Sequence, residues 1–180
     1  MKNKKERVNT NCHVQDIYLK LNKNFPNSHL PVLIYKPAFI LPEQKKRAVT
    51  IIQEIFAKNG WSNSWKNGIY DFHHYHSITH ECMAVSSGWA MVIIGGPGGR
   101  RIRLERGDLI ILPAGVAHKC SRKGSAFQCV GAYPQGKDYD IILGKAANLE
   151  KALKNIKKLG LPQKDPLQGK HGFLKSYWVK

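Results

Sequence analysis

Within 21 residues the chain places Gly68, His74, His76, Glu81 and Gly88 around the string His-Tyr-His-Ser-Ile-Thr-His-Glu. In an extended chain, side chains two apart share a face, so His74 and His76 point the same way and Tyr75 the other. Two imidazoles on one face form a chelate. Glu81 opens the next strand after a turn of four residues, close enough to add a carboxylate to the same pocket. Two histidines and one carboxylate suit non-haem iron and also accommodate manganese, nickel or zinc. The spacing alone leaves a second reading open, in which the pair is polar strand decoration.

A second segment runs Gly107-Asp-Leu-Ile-Ile-Leu-Pro113-Ala-Gly115-Val-Ala-His118. It reads as a strand, a tight turn at Pro113-Ala114-Gly115, and a histidine at the start of the returning strand. Together the two segments resemble the paired motifs of the cupin superfamily, G-x5-H-x-H-x4-E-x6-G and G-x5-P-x-G-x2-H-x3-N, over about residues 64 to 134. Every fixed position matches except the last. The resemblance implies an all-β, cupin-type jelly-roll barrel with His74, His76, Glu81 and His118 as ligands of a divalent metal ion, Fe, Mn, Ni or Zn. It further implies a metal-dependent enzyme, dioxygenase-, isomerase- or decarboxylase-like, acting on a small anionic organic substrate in the barrel. A non-catalytic module that binds or senses a small ligand fits the same motifs, because a fold does not dictate a function. The Gly68-Ile-Tyr entry, the Gly-Gly-Pro-Gly-Gly loop at 95–99, Val130-Gly-Ala-Tyr-Pro and Asp138-Tyr-Asp are similar to the small bacterial single-domain cupins of the YjlB type. That likeness adds a fold and no substrate.

The departure from the second motif is Arg122, which stands where the pattern has Asn. Spacing by two puts His118, Cys120 and Arg122 on one strand face, and His118 marks that face as inward. An inward Arg122 is a candidate ligand for a substrate carboxylate or phosphate, which guanidinium binds bidentately; otherwise the strand has ended and Arg122 sits at the rim. Cys120 and Cys129 read as small packing residues beside the cavity. His73 and His80 fall on the wrong parity or in the turn and read as surface or interface residues. The cluster Arg100, Arg101, Arg103 and Arg106 follows a Gly-rich loop but opens no phosphate-binding helix, so it reads as a solvated hairpin.

The elements that must hold this site follow from patterning. From Trp61 to Pro134 short apolar segments alternate with Gly, Pro and Ser, as in a sandwich or barrel. Strands are expected at 70–76, 81–85, 90–94, 101–104, 109–112, 117–122 and 126–132. Before them, Leu30 to Tyr35 reads as a short edge strand bracketed by Pro31 and Pro37. A helix follows in which Ala48, Ile51, Ile52, Ile55 and Phe56 recur at helical spacing and Gly60 ends the run. Val14, Ile17, Tyr18 and Leu21 suggest a helical turn or two further upstream. A second helix carries Leu149, Ala152, Leu153 and Ile156, and the last twenty residues form an arm anchored by Phe173, Tyr177 and Trp178. The expected division is therefore an N-terminal extension at 1–63, a barrel core at 64–144, and a C-terminal helix and arm at 145–180.

The chain has 180 residues, 42% of them apolar and 23% charged, which suits one buried core. No apolar run approaches the ~18 residues of a membrane span, and the first residues carry no secretion signal, so a cytoplasmic protein is expected. The four cysteines, Cys12, Cys82, Cys120 and Cys129, have no metal-knuckle spacing and read as reduced thiols. The net charge of +17 comes from 22 Lys against 7 Arg. Its excess sits at the two ends, with ten basic and three acidic groups in 1–50, ten and seven in 51–144, and nine and two in 145–180. Scattered lysine of this kind points away from nucleic acid, whose readers gather Arg and aromatic residues on one face. The expected partners are a small-molecule substrate and, by likeness to cupins of this size and from the edge strand at 32–36, a second copy in a homodimer.

Overall fold

The computed structural model describes residues 7–178. Nine strands and three helices follow one another in the order β1 (His13–Leu19), β2 (Ser28–Lys36), α1 (Lys45–Lys58), β3 (Trp61–Asn67), β4 (Glu81–Ser87), β5 (Trp89–Ile94), β6 (Arg100–Glu105), β7 (Leu109–Leu112), β8 (His118–Lys123), β9 (Gln128–Pro134), α2 (Ala146–Lys158) and α3 (Leu174–Tyr177). They form two antiparallel sheets in the jelly-roll manner, a six-stranded one in the order β1-β2-β7-β4-β9-β3 and a three-stranded one in the order β6-β5-β8. The all-β architecture expected from the motifs is the one found, with a helix-containing N-terminal part and a C-terminal helix and arm against it.

Two apolar layers explain the strand sequences. Between the sheets lie Ile17, Val32, Ile34, Met83, Val85, Ile110 and Leu112 from the larger sheet, facing Ala90, Val92, Ile94, Leu104 and Cys120 from the smaller. The other face of the larger sheet is covered too. Leu33, Tyr35, Cys82, Ala84, Ile111 and Ala132 pack there against Val49, Ile52 and Phe56 of α1 and against Leu167, Leu174 and Trp178 of the C-terminal arm. A strand covered on both faces has no solvent side to decorate, so β4 and β7 are buried at every position and show no polar alternation.

Both helices end where the sequence predicts. Asn59 caps α1 and Gly60 follows at φ +80°, a left-handed position that glycine takes without strain. For α2 the boundary is Leu159, just ahead of Gly160 and Pro162.

Four expectations need correcting. Residues 13–19 are a strand, not helical turns, because they pair along β2 with Ile17 buried and Tyr18 outside; pairing in the folded chain overrides a spacing that mimics a helix. β2 is accordingly no edge, since β1 and β7 flank it, and the free edges of that sheet are β1 and β3. β3 itself, Trp-Ser-Asn-Ser-Trp-Lys-Asn, has no counterpart among the expected strands; its polar string hides an edge strand that pairs with β9 around a bulge. The strand expected at 70–76 is reduced to two isolated bridges, His74 with His118 and Tyr75 with Ile142. It stops because the chain bends at Ser77 and Ile78, whose N–H groups donate to the Asp140 carboxylate at 2.6 and 3.4 Å.

Candidate metal centre

The bridged segment carries the first two histidines. His74 N–H donates to the His118 carbonyl at 3.2 Å and the His74 carbonyl accepts the His118 N–H at 2.9 Å, while Gly115 N–H donates to the His76 carbonyl at 2.8 Å. Backbone pairing therefore lays His74 and His76 alongside the first residue of β8. The turn before it depends on Gly115 at φ +91°, where an added Cβ would lie 2.4 Å from the Asn27 carbonyl oxygen. Glu81 enters from the other side as the first residue of β4, opposite Leu112 of β7.

The three imidazoles converge, with Glu81 beside two of them. His74, His76 and His118 are buried, and one ring nitrogen from each lies within 4.8 Å of the other two. Glu81, also buried, brings its Oε2 to 3.2 Å from His76 Nε2 and 3.4 Å from His118 Nε2. The far side of every ring is engaged with a main-chain carbonyl. His74 Nδ1 faces Phe72 at 3.1 Å, His118 Nδ1 faces Val116 at 3.1 Å, and His76 Nδ1 faces Asp140. A carbonyl can only accept, so each Nδ1 must carry the proton, and each Nε2 is left as a lone pair directed inward. Fixing the outer nitrogen in this way is how proteins orient ligating histidines.

The consequence is electrostatic. Glu81 Oε2 is buried with no hydrogen-bond partner, yet two nitrogen lone pairs face it. Acceptor against acceptor in a buried site is repulsive unless a cation lies between them, and either a proton or a metal ion meets that need. Burial opposes charge on His76, but the adjacent Glu81 carboxylate outweighs it and raises the pKa. Burial would likewise raise Glu81, yet the His76 and His118 imidazoles hold it below the ordinary carboxylate range. His74, further from the carboxylate, is pushed down to about 3 by burial and by His118. The three imidazole nitrogens could hold a metal ion, a donor set that suits a divalent transition metal, and the Glu81 carboxylate stands beside two of them.

Over this floor opens a cavity of about 500 Å³. Met83 and Cys120 line one part of it, and Tyr133, Tyr139 and Trp65 another. The Tyr133 and Tyr139 rings stack with centroids 5.0 Å apart, and His76 meets both edge-on. Trp65 Nε1–H donates to the Tyr133 hydroxyl at 2.8 Å. That contact requires glycine at 131, the cross-strand partner of Trp65, because a Cβ there would lie 2.2 Å from the indole. Burial and the Glu81 charge push the Tyr133 phenol above the usual tyrosine range, so it is protonated at neutral pH.

The other singled-out residues divide. Arg122 reaches the mouth but is exposed, with its guanidinium 6.0 Å over the Trp89 ring, so it does not share the inward face of His118 and Cys120. Cys120 and Cys129 are buried and unoxidised, as are Cys12 and Cys82. His80 is buried, not on the surface: its Nδ1 accepts the Ala114 N–H at 3.0 Å and its ring packs 4.9 Å from Trp178. The residue that sequence reasoning passed over is Asp140. Its carbonyl holds His76, and its carboxylate also accepts the Ser77 hydroxyl at 2.5 Å.

The chain is 37% identical over 150 residues to the uncharacterized protein YjlB of Bacillus subtilis (strain 168), an alignment that covers 83% of this chain and 87% of that protein. The chain belongs to the YjlB family. No protein-family model matches it. Looser similarities join this YjlB-family chain to solved structures. Acireductone dioxygenase from Bacillus anthracis, with cadmium in its active centre, is 18% identical with a TM-score of 0.41, over 57% of this chain and 70% of that one. The WlaRB TDP-quinovose 3,4-ketoisomerase of Campylobacter jejuni is 13% identical with a TM-score of 0.41, over 81% and 99%. A DUF861 family protein from Thermotoga maritima is 19% identical with a TM-score of 0.34, over 56% and 96%. Among the described residues no helix is long and apolar enough to cross a membrane.

Proposed function

We propose that this YjlB-family cupin is a metal-dependent enzyme whose ion, Fe, Mn, Ni or Zn, is held by His74, His76, Glu81 and His118. One observation carries the reading: a buried carboxylate oxygen without a partner faces imidazole nitrogens whose protons are all committed elsewhere. Such an ion supplies Lewis acidity, and with iron also access to dioxygen chemistry. The chain's own contribution is to orient the imidazoles through the Phe72, Val116 and Asp140 carbonyls. Met83, Cys120 and the stacked tyrosines line the walls, and a small anionic organic molecule fits the space above the floor. Tyr133, beside Glu81 and protonated, can donate a hydrogen bond to an oxygen of that molecule. The homodimer and the cytoplasmic setting belong to the same reading.

A second reading is favoured by the same phenol. Tyr133 gives the floor a proton donor and no base, which suits a site that holds a metal and a small ligand without turning it over. Elemental analysis of the purified protein beside His76→Ala and Glu81→Ala tests the centre. About one ion per chain in the parent, lost in both variants, is expected; no ion in the parent even after reconstitution overturns the reading. Iron directs the search for turnover to oxygen consumption with small carboxylates, and Zn, Ni or Mn to isomerisation or decarboxylation. Tight occupancy without turnover of any of these leaves the holding site.

A further inference from the structure

The strand β8 carries the cavity from floor to mouth, and its register against β5 changes on the way. Ile94 pairs with His118, Ile93 with Lys119 and Val92 with Cys120, but Met91 then pairs with Arg122 and Ala90 with Lys123. Ser121 is the extra residue of a β-bulge. Directly paired residues point to the same side of a sheet. Val92 and Ala90 are fully buried on the inner face, whereas Met91 belongs to the outer one. One inserted residue therefore turns Arg122 toward Trp89 and brings Lys123, itself solvent-exposed like Arg122, to the cavity side of the mouth.

Lys123 uses that position. A Cβ built on Gly68 would lie 3.4 Å from its Nζ, so the ammonium reaches across the mouth to the start of the segment that carries His74 and His76. Among the described residues it forms no ion pair and no side-chain hydrogen bond, and Asp71, also at the mouth, does not neutralise it. Beside it is Asn67, whose strand partner is Cys129. Asn67 Oδ1 accepts the Gly68 N–H at 2.8 Å, which leaves the NH2 end of that amide without a partner among the described residues. An unpaired ammonium and an unpaired amide donor thus share the opening above the histidines.

We infer that Lys123 and Asn67 form an anion-recognising pair, and that the ligand of this cavity is bifunctional, with a carboxylate or phosphate at the mouth and its other polar end on the histidine floor. The inference rests on the metal-centre reading. It assigns the substrate charge to Lys123 in place of Arg122. At ~3.3 Å per residue the Cα atoms of His118 and Lys123 stand roughly 15 Å apart along β8. A dianion of suitable length, held at the floor by one end and reaching the ammonium with the other, gains a contact that a monoanion held at one end lacks.

The test uses protein loaded with cobalt(II), whose visible spectrum reports ligands that reach the ion. It is titrated with acetate, with malonate, succinate, glutarate and adipate, and with 3-phosphonopropionate. The best dianion is expected to bind about tenfold tighter than acetate, the gain of one charge-assisted contact. A dicarboxylate or the phosphonate at the head of the series tells which anion the mouth prefers. Lys123→Met is expected to erase the preference while the cobalt spectrum of the loaded protein persists, Lys123→Arg to retain the preference, and Arg122→Met to leave it within twofold. Cobalt uptake with no preference for dianions, or a preference lost in Arg122→Met and kept in Lys123→Met, overturns this inference and leaves the metal centre standing. A parent protein that takes up no cobalt overturns the metal centre and the inference together.

Discussion

Two buried carboxylates in this molecule are treated in opposite ways. Asp165, in the C-terminal arm, is fully satisfied: Oδ2 accepts the Tyr35 hydroxyl at 2.6 Å and the Leu174 N–H at 3.1 Å, and Oδ1 accepts the N–H groups of Leu167 and Gln168 at 2.8 and 3.0 Å. Burial and the Asp165 charge push the Tyr35 phenol far above the usual tyrosine range, so it serves only as a donor. Glu81 is as deeply buried, and its Oε2 makes no hydrogen bond of ordinary geometry among the described residues. In the folded chain what separates them is where the neighbouring protons point. Around Asp165 every neighbour brings a hydrogen, whereas around Glu81 the His76 and His118 Nδ1 hydrogens face the Asp140 and Val116 carbonyls, and the Tyr133 phenol is the neighbour with a proton to spare. A carboxylate completed by the chain is a fastening, and one the chain leaves incomplete is what the proposed metal centre calls for.

The sharpest way to break this contrast is to remove each group. Asp165→Ala strands the Tyr35 hydroxyl and three amides, so the expected cost is roughly 3 to 5 kcal/mol of stability. At ~2–4 °C per kcal/mol for a chain of this size, thermal unfolding should fall by about 10 °C. Saturating divalent metal, at about a hundred times its dissociation constant, should add ~2.7 kcal/mol to the parent protein. The same increment is expected in Asp165→Ala and its loss in Glu81→Gln, both read from melting curves with and without the ion. Equal metal increments in Asp165→Ala and Glu81→Gln would mean that Glu81 is a second fastening.

How much of this was legible in the sequence also divides between the two regions. His74 and His76 stand at a spacing, and His118 after a Pro-x-Gly turn, that the paired motifs mark as a metal site, and the three imidazoles do converge. Of the two places the spacing left open for Arg122, the exposed rim is the one found, because a bulge shifts parity by one residue and no residue type in Lys119-Cys-Ser-Arg-Lys123 announces it. Asp140 was passed over because its work is done through its backbone carbonyl and through Ser77, 63 residues away in the chain. Asp165 left no signal: a single acidic residue in a lysine-rich tail has the look of surface charge until Tyr35 is seen opposite it. In β1 the apolar residues fall at spacings that a helix and a strand share, and only the partner strand decides. Local chemistry is legible where the motif is short-range, and illegible where a distant segment supplies the bond.

Asp140 gives a middle-sized test, because it binds the ligand loop without touching the cation itself. Asp140→Ala removes the acceptor for the Ser77 and Ile78 N–H groups and the Ser77 hydroxyl. The Ser77 hydroxyl keeps one bond, from Asn155 of α2 at 2.9 Å. The carbonyl that orients His76 survives the substitution but loses its anchoring. Metal affinity should therefore fall about tenfold, the usual scale for a partner that orients a ligand, as measured by competition with a chromogenic chelator. An unchanged affinity would show that backbone pairing through Gly115 and His118 suffices to place His76.

The smallest effect belongs to Tyr133→Phe. The hydroxyl accepts the Trp65 indole N–H and lies beside Glu81, but it is neither a metal ligand nor part of the sheet pairing. Removing it leaves one half-buried indole N–H unpaired, a loss of about 1 kcal/mol in denaturant unfolding. The ring, still stacked on Tyr139 and edge-on to His76, keeps its place. Metal affinity should change by less than Asp140→Ala changes it, since Glu81 Oε2 is oriented by β4 and faced by imidazoles whether or not the phenol is present. If Tyr133→Phe instead weakened metal binding more than Asp140→Ala, the phenol would be completing Glu81 as Tyr35 completes Asp165. The two carboxylates would then differ in degree and not in kind.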